Sequence, residues 1–116
     1  MDLTGTQIGR MGEELAWKFL KKAGYRLLER NYRSGHQEID LICRDGDYIV
    51  FVEVKARSST RFGTPAASIT GRKQAFLRKA ALAYLTEQSL TEQPARFDAV
   101  EVFLPEGTVR HIPNAF

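Results

Sequence analysis

The chain has 116 residues, of which 43% are hydrophobic and 27% charged, and it carries a net charge of +3. This composition is ordinary for a globular protein that buries one core, and no apolar run approaches the roughly 18 to 20 residues that span a bilayer. The N-terminus lacks the basic and apolar regions of a signal peptide, and the single cysteine, Cys43, excludes an internal disulfide. We therefore expect one domain over residues 1–116, in a reducing cytoplasm and away from membranes.

The small net charge hides an asymmetry along the chain. Residues 1–79 hold 15 Lys and Arg against 9 Asp and Glu, a net of +6, whereas residues 80–116 hold 2 against 5, a net of −3. Three of those nine acids, Glu38, Asp40 and Glu53, interrupt two strand-prone runs. A basic surface around an acidic spot suits a phosphate-rich polymer that approaches a metal site. Basic residues scattered over a solvated surface are the alternative on charge alone.

The first predicted element is an amphipathic helix that starts at Thr4 or Thr6. Glu13 lies at the margin of its apolar stripe, next to Gly12 and one turn from Gly9. The glycines lower helix stability but clear side chains from the surface near Glu13, so that another backbone or a phosphate can approach. The alternative is that Glu13 complements the helix dipole in the first turn. The predicted apolar stripe consists of Ile8, Met11, Leu15, Ala16, Phe19, Leu20 and Ala23.

Three strands are predicted next, over residues 25–32, 38–43 and 48–55, with Asp45-Gly46-Asp47 as the turn between the last two. Side-chain alternation places the acids and Lys55 on one face of this hairpin. Asp40 and Glu53 share that face only if paired residues have numbers with an odd sum, as in a two-residue loop at Asp45-Gly46, a four-residue loop or a bulge. The opposite, core-forming face is predicted to hold Ile39, Leu41, Cys43, Val50, Val52 and Val54.

The loop after the hairpin, residues 56–65, is rich in hydroxyls and arginine and is predicted to bind a ligand. Arg57 and Arg61 are candidate phosphate contacts because a guanidinium binds two oxygens at once. Residues 70–87 predict a second helix, whose basic first half, with Arg72 and Lys73, faces outward or toward the site. Its predicted apolar stripe consists of Phe76, Leu77, Ala80, Ala81, Tyr84 and Leu85.

Two more strands, over residues 96–104 and 109–112, complete the predicted order α-β-β-β-α-β-β. Helices on either side of the strand run predict a mixed five-stranded sheet packed between helices. The long connection between the third and fourth strands, through the second helix, predicts that these two strands are parallel. The fold class expected from the sequence is therefore α/β.

The hairpin acids form a candidate divalent-cation site. Asp40 and Glu53 offer the hard oxygens that Mg²⁺ or Mn²⁺ prefers, with waters completing the coordination. Lys55 can orient or deprotonate an attacking water, or offset charge on a phosphate in the transition state. The cation polarises the phosphate and lowers the pKa of its bound water. Hydrolysis of a phosphodiester is the reaction that these groups serve.

Asp40 and Glu53-Val54-Lys55 resemble the motif of the PD-(D/E)xK, restriction-endonuclease-like superfamily, although Ile39 replaces the usual proline. The chain as a whole resembles the YraN family, a small bacterial group similar in fold to archaeal Holliday-junction resolvases. Gln37 departs from the pattern, since the family usually has glycine there. The matching segments are Gly9-x-x-Gly12-Glu13-x-x-Ala16, Asn31-Tyr32-Arg33, Glu38-Ile39-Asp40-Leu41-Ile42, Phe51-Val52-Glu53-Val54-Lys55-x-Arg57, Phe62-Gly63, Lys73, Arg96-Phe97-Asp98 and Asn114-Ala115-Phe116.

This resemblance implies a single endonuclease-like α/β/α domain. Our first hypothesis for its function is a metal-dependent nuclease that acts on DNA, branched or single-stranded, rather than on RNA. The resemblance also implies Glu13, Asp40, Glu53 and Lys55 as catalytic residues, with Glu38 as an additional metal ligand. A resolvase needs two active sites, so a homodimer is a candidate assembly. The alternatives are a non-catalytic nucleic-acid-binding module on the same fold and a structural protein whose acids pair with Lys55 and arginines. The candidate nucleic-acid-binding residues are Arg33, Arg57, Arg61, Arg72 and Lys73.

Overall fold

A computed structural model describes residues 4–57 and 69–116 of the chain. Its strands form one mixed sheet in chain order, in which β3 and β4 are parallel and every other neighbouring pair is antiparallel. The predicted order of elements and the predicted parallel pair are confirmed. The elements are α1 (Gly5–Lys22), β1 (Arg26–Ser34), β2 (Gln37–Asp45), β3 (Tyr48–Arg57), α2 (Gly71–Glu87), β4 (Ala95–Phe103) and β5 (Thr108–Ile112).

The central strands are apolar on both faces, and a helix covers each face. Val52 and Phe51 are neighbours in β3 and point to opposite sides, where they join two separate clusters of buried residues. Sheets buried on both sides form α/β/α layers because each exposed apolar face needs a helix to cover it. The cluster under α1 includes Ala16, Leu20, Leu41, Val52 and Val100, and the cluster under α2 includes Ile42, Phe51, Leu77 and Tyr84.

Threonine side chains fix the start of both helices. Thr4 accepts a hydrogen bond from the backbone N–H of Gln7, and the Gln7 side chain accepts one from the backbone N–H of Thr4, which is a capping box. Thr70 caps α2 by accepting from the backbone N–H of Lys73 at 3.2 Å. Since α1 begins at Gly5, Glu13 lies in its third turn, and the interpretation of Glu13 as a first-turn dipole complement is wrong.

The predicted apolar stripes are wrong at four positions, one of which, Ala23, is exposed and lies beyond the end of α1 as its C-cap. Met11 and Phe19 of α1 are 41% and 40% exposed, and Phe76 of α2 is 37% exposed. The periodicity placed these residues near the stripe, but each lies at its margin, where the sheet no longer covers the helix. The residues that α1 buries are Gly12, Ala16 and Leu20, and those that α2 buries are Leu77, Ala80, Ala81 and Tyr84.

The register of the β2–β3 hairpin has the predicted parity. Leu41 pairs with Val52 and Asp45 pairs with Tyr48, so paired numbers sum to an odd value. The loop has two residues, at 46–47, one position later than the predicted two-residue loop. Gly46 allows this turn because its φ of +58° lies in the left-handed region, which glycine adopts without strain. Continued past Leu41, the same register places Asp40 opposite Glu53.

The side-chain alternation of β2 is interrupted at Asp40. Leu41 packs in the cluster under α1, whereas Ile39, two residues away, packs in the cluster under α2. Ile39 was predicted on the same face as Leu41, and this prediction is wrong. The described ladder between β2 and β3 also ends at Leu41. Asp40 therefore lies where β2 leaves regular pairing, which allows its carboxyl group to bond to a backbone N–H of β3 instead of projecting from a flat strand.

Helix α1 approaches β3 most closely at Gly12, which is buried. A Cβ atom built on Gly12 would collide with the Cβ of Ala56, and Val54 Cγ1 lies 3.9 Å from the same position. Alanine is short, so Ala56 can move away only with its backbone. The prediction that glycine in this helix allows another backbone to approach is confirmed at Gly12.

Substitution of Gly12 and of Gly9 by alanine should have opposite effects on stability. Gly9→Ala meets no atom within 4 Å, and the gain in helix propensity should raise the free energy of unfolding by about 1 kcal/mol. Gly12→Ala has the same gain, but overpacking against Ala56 costs about 1–3 kcal/mol, so we expect net destabilisation. Urea unfolding of both variants checks this. A Gly12→Ala variant as stable as Gly9→Ala would show that α1 does not pack as closely on β3.

The C-terminal residues are held by a buried carboxylate, Asp98, on the α1 face of the sheet. Arg96 Nε lies 3.1 Å from Asp98 Oδ1, His111 Nε2 lies 2.6 Å from Oδ2, and the backbone N–H of Asn114 donates to Oδ1 at 3.1 Å. Burial alone would raise the pKa of Asp98, but these hydrogen bonds lower it below its ordinary value. These contacts give Arg96, Asp98 and His111 a structural role.

Candidate active site

A cavity of about 560 Å³ opens between the start of α1 and the end of β3. The four residues predicted to be catalytic, Glu13, Asp40, Glu53 and Lys55, all line it. They come from three elements, α1, β2 and β3, and the fold brings them together at one end of the sheet. Gly5, Ile8, Gly9, Ala56 and Arg57 complete most of the wall.

Glu53 is the most deeply buried acid of this cavity, with 6% of its surface exposed. Lys73 Nζ donates to Glu53 Oε1 at 2.8 Å, and Lys55 Nζ lies 3.5 Å from the same oxygen. Two ammonium groups therefore share one carboxylate oxygen. A buried carboxylate without such partners would carry a large desolvation penalty, and the two lysines offset this cost for Glu53.

Asp40 is the acid whose protonation the site perturbs most. Its Oδ2 accepts a hydrogen bond of 2.7 Å from the backbone N–H of Val54. Burial raises the pKa of Asp40 to about 7, and the negative charge of Glu53 adds to this effect, while the bond from Val54 and the charge of Lys73 oppose it. Near neutral pH, Asp40 is thus poised between its charged and neutral forms, and a nearby cation would favour the charged form.

The two lysines have pKa values shifted in opposite directions. Burial lowers the pKa of Lys55, and its contact with Lys73 lowers it further. Burial alone would also lower the pKa of Lys73, but its hydrogen bonds to Glu53 and Lys55 raise the pKa overall. Lys73 is therefore the ammonium that neutralises Glu53, and Lys55 is the one that releases a proton more readily.

Glu13 is held in place by Asn31, a residue of β1. Asn31 Nδ2 donates to Glu13 Oε1 at 2.8 Å. The neighbours of Asn31, Arg30 and Tyr32, pair with residues on either side of Asp40, so Asn31 lies opposite Asp40 in the ladder. Its φ of +50° is left-handed, a conformation that asparagine adopts more readily than most residues. Asn31 thus connects α1 and the edge strand β1 next to the acidic cluster.

The remaining predicted metal ligand, Glu38, does not line the cavity. Its Oε2 lies 3.7 Å from Arg33 Nη2, and both side chains are substantially exposed. This exposed ion pair between β1 and β2 contributes little to stability. Glu38 and Arg33 are therefore paired with each other at the surface, and we leave Glu38 out of the ligand set proposed below.

The structure distributes the predicted nucleic-acid-binding residues over three environments. Arg57 lines the cavity, and Arg72 is exposed at the start of α2. Lys73 was predicted as a nucleic-acid contact, but it is bonded to Glu53 inside the acidic cluster. Arg61 falls outside the described residues.

Sequence reasoning missed the roles of Lys73 and Asn31. Parallel strands joined through a helix place the start of that helix beyond the carboxyl end of the first strand. This geometry puts the first turn of α2, with Lys73, close to Glu53. The contact between Lys73 and Glu53 could therefore have been predicted from the order of the elements. For Asn31, the signal was an asparagine inside a strand-prone run, because asparagine is depleted in regular strands.

Within residues 4–57 and 69–116, no three His, Cys, Asp or Glu side chains lie close enough together to hold a metal ion. Mg²⁺ does not need three, since it is commonly bound by one or two carboxylates together with waters and substrate phosphates. Asp40 and Glu53 supply two carboxylates, and their described hydrogen bonds use only Oδ2 and Oε1. The carboxylate pair, with the raised pKa of Asp40, therefore fits a hard divalent cation that would offset their mutual repulsion.

The fold and the cavity define a class: an α/β protein with a mixed five-stranded sheet and a carboxylate–lysine cluster at the end of a central strand. Residues 12–102 match the "Uncharacterised protein family UPF0102", and the chain belongs to this family, which is the YraN family that the sequence resembles. Within the described residues, no helix is both long and apolar enough to cross a membrane.

Relatives match the chain along most of its length. The UPF0102 protein of Syntrophomonas wolfei subsp. wolfei is 46% identical over 112 residues, which cover 95% of this chain and 97% of the relative. The UPF0102 protein of Syntrophus aciditrophicus is 48% identical over 110 residues, 93% of this chain and 87% of the relative. That of Rhodococcus opacus is 40% identical over 112 residues, 94% and 95% of the two chains. The likeness therefore extends beyond the segment around the cavity.

Proposed function

We propose that this protein is a divalent-metal-dependent nuclease that hydrolyses phosphodiester bonds in DNA. The observation that carries the proposal is the meeting of Asp40, Glu53 and Lys55 in one cavity. Burial and the charge of Glu53 disfavour the charged form of Asp40 and raise its pKa, and groups with perturbed pKa values cluster at functional sites. The α/β/α layers and the Asp40 … Glu53-x-Lys55 spacing also support membership of the restriction-endonuclease-like superfamily.

Asp40 and Glu53 are the residues that would hold the cation, Mg²⁺ or Mn²⁺, since both carboxylates line the cavity. When bound there, the cation would polarise the scissile phosphate and lower the pKa of a water molecule. Lys55 orients that water and takes up its proton, which is consistent with the lowered pKa of its ammonium. Lys73 holds the carboxylate group of Glu53 in place.

Two further side chains of the cavity wall, those of Glu13 and Arg57, lie where the DNA and the cation would bind. Glu13, oriented by Asn31, lines the same cavity and would add a third carboxylate beside the cation. Arg57 contributes a guanidinium that suits a phosphate of the strand being cut. Gly9 leaves the wall beside Glu13 open, since a Cβ on Gly9 would meet no atom within 4 Å. A phosphate backbone can therefore reach the carboxylates without displacing side chains of α1.

The second candidate function is a non-catalytic nucleic-acid-binding module. One observation favours it: Lys73 and Lys55 both contact Glu53, and such contacts neutralise that acid without a metal. In this case the cluster would serve stability, and the basic surface alone would bind nucleic acid.

A metal titration separates the two functions. Labelled single-stranded, duplex and four-way-junction DNA would be incubated with the protein and increasing Mg²⁺ or Mn²⁺, with EDTA as the blank. The proposal expects cleavage of at least one substrate by wild type and none by Glu53→Gln. If wild type cleaves none of these substrates but binds DNA as tightly in EDTA as it does with metal, the binding module is the better description and the nuclease proposal should be dropped.

Removal of the Lys73 ammonium should slow cleavage by roughly 10- to 100-fold, the usual consequence of losing a hydrogen bond to a charged group at a site. Lys73→Met keeps the volume of the side chain but, among the described residues, leaves Glu53 with the more distant Lys55 as its ammonium partner. Single-turnover rates at saturating Mg²⁺ check this expectation. Lys22→Met, an exposed change in the last turn of α1, is the matched control. Equal rates for the two variants would remove Lys73 from the mechanism.

A further inference from the structure

A second pocket, of about 280 Å³, lies between the β1–β2 turn and α2. His36 and Gln37 from the turn, and Phe76 and Lys79 from the helix, are among its lining residues. None of these residues lines the carboxylate cavity, and none is used in the mechanism above. The pocket is therefore a separate feature of the surface.

The wall formed by α2 carries an exposed aromatic ring between two cations. Arg72, Phe76 and Lys79 are spaced four and three residues apart, so they follow one another along one face of the helix. The guanidinium carbon of Arg72 lies 5.5 Å from the centre of the Phe76 ring, within cation–π range. Arg72 thus lies over one face of the ring, while the Phe76 side chain is still 37% exposed. An exposed aromatic residue next to positive charge is the arrangement on which nucleobases stack while their phosphates bind the cations.

The pocket and the carboxylate cavity lie at the same end of the sheet. Gln37 precedes Asp40 by three residues in β2, which corresponds to about 10 Å along the strand. On α2, Lys73 contacts Glu53, and Phe76 lies one turn further along the helix. About 10 Å equals roughly three nucleotides at the ~3.4 Å rise of one DNA strand. A single strand that crosses the carboxylates can therefore continue into the pocket.

We propose that this pocket binds an unpaired nucleobase of a single-stranded segment, stacked on Phe76, with Arg72 and Lys79 contacting the adjacent phosphates. The inference rests on the proposed function and makes it more specific: the substrate has unpaired nucleotides beside the position of cleavage. A paired base is stacked inside a duplex and cannot present its face to Phe76 without being flipped out. The nearby acid, Glu38, is paired with Arg33 and so opposes the phosphates less.

The test measures binding without cleavage, so that it does not depend on the nuclease chemistry. Fluorescence anisotropy in EDTA would follow the binding of labelled twelve-residue oligothymidylate and of a twelve-base-pair duplex. Phe76→Ala should weaken oligothymidylate binding about 10-fold, the size expected for one stacked base, and leave duplex binding unchanged. Leu82→Ala, at a 59% exposed position on the same helix, is the matched control and should change neither. Phe76→Trp should restore the single-strand affinity, and circular dichroism checks that each variant is folded.

The outcomes separate this inference from the proposed function. Three results would show that the pocket is not a nucleobase site, whether or not the protein cleaves DNA. Phe76→Ala could bind oligothymidylate as tightly as wild type does, it could weaken duplex binding as much as oligothymidylate binding, or wild type could fail to bind oligothymidylate. If single-strand affinity depends on Phe76 in EDTA but no substrate is cleaved with metal, the pocket stands and the nuclease proposal fails. An apolar peptide can be added as a competitor of oligothymidylate. If the peptide displaces oligothymidylate equally well from wild type and from Phe76→Ala, it does not bind through Phe76, which counts against a protein segment as the occupant of the pocket and supports a nucleobase.

Discussion

Asp40→Asn should lose roughly three orders of magnitude in the rate of metal-dependent cleavage, because it removes one of the two carboxylates that hold the cation. The amide is the same size as the carboxylate and can still accept the hydrogen bond from Val54, so the fold should be kept. Single-turnover cleavage of the preferred DNA at saturating Mg²⁺ is the measurement. DNA affinity in EDTA should be equal to or tighter than that of wild type, because a negative charge near the phosphates is removed.

The control for this substitution is Asp47→Asn, at an exposed position of the hairpin loop. It makes the same chemical change and alters the net charge equally, so it should cleave at the wild-type rate. An Asp40→Asn variant that retains cleavage within tenfold of the Asp47→Asn rate would contradict the assignment of Asp40 as a metal ligand.

The stability of the metal-free protein should fall between pH 4 and pH 7 because of Asp40. Its pKa is about 7 in the folded protein against an ordinary 3.8, so the folded state binds the proton more tightly than the unfolded state does. The stabilising contribution is therefore complete below the unfolded pKa and is lost as the pH rises through the folded pKa. At 1.36 kcal/mol for each unit of pKa, the loss amounts to at most about 4 kcal/mol. Urea unfolding in EDTA across this range measures it.

The difference between wild type and Asp40→Asn isolates this effect from the titration of other groups. Asp40→Asn should lose less stability over the same range and should be the more stable protein at pH 8. Mg²⁺ should then stabilise wild type at pH 8, by about 2.7 kcal/mol at a hundred times its dissociation constant, and should have much less effect on the variant. Parallel pH profiles for the two proteins in EDTA would show that the Asp40 carboxyl is not destabilised in the folded state.

The regular parts of the fold could be predicted from the sequence because their signals are local. Thr4 and Thr70 were recognisable as helix starts, and both accept the capping hydrogen bond. The alternation in β3 placed Val52 and Glu53 on opposite faces, as observed. Where local signals failed, tertiary geometry was the reason. Ile39 packs on the face opposite to the one its strand position predicts, because β2 leaves regular pairing at Asp40.

The acids of the candidate site could also be predicted, since charged residues inside apolar strands violate the strand pattern. The identification of Lys55 followed from its position two residues after Glu53. The second ammonium of the cluster could not be read in the same way. Lys73 is 20 residues from Glu53 in the chain, and only the packing of α2 against the sheet brings the two groups to 2.8 Å.

The sequence by itself determined the order of elements and the residues that carry the charges, because periodicity, capping and alternation act over a few neighbouring residues. The tertiary structure alone decided that Lys73 bonds to Glu53, that Asn31 holds Glu13, that Glu38 pairs with Arg33, and that Phe76 remains exposed beside a pocket. These four outcomes depend on where a helix ends its contact with the sheet and where a strand leaves its ladder. Such contacts join residues far apart in the chain, and local patterns do not encode their distances.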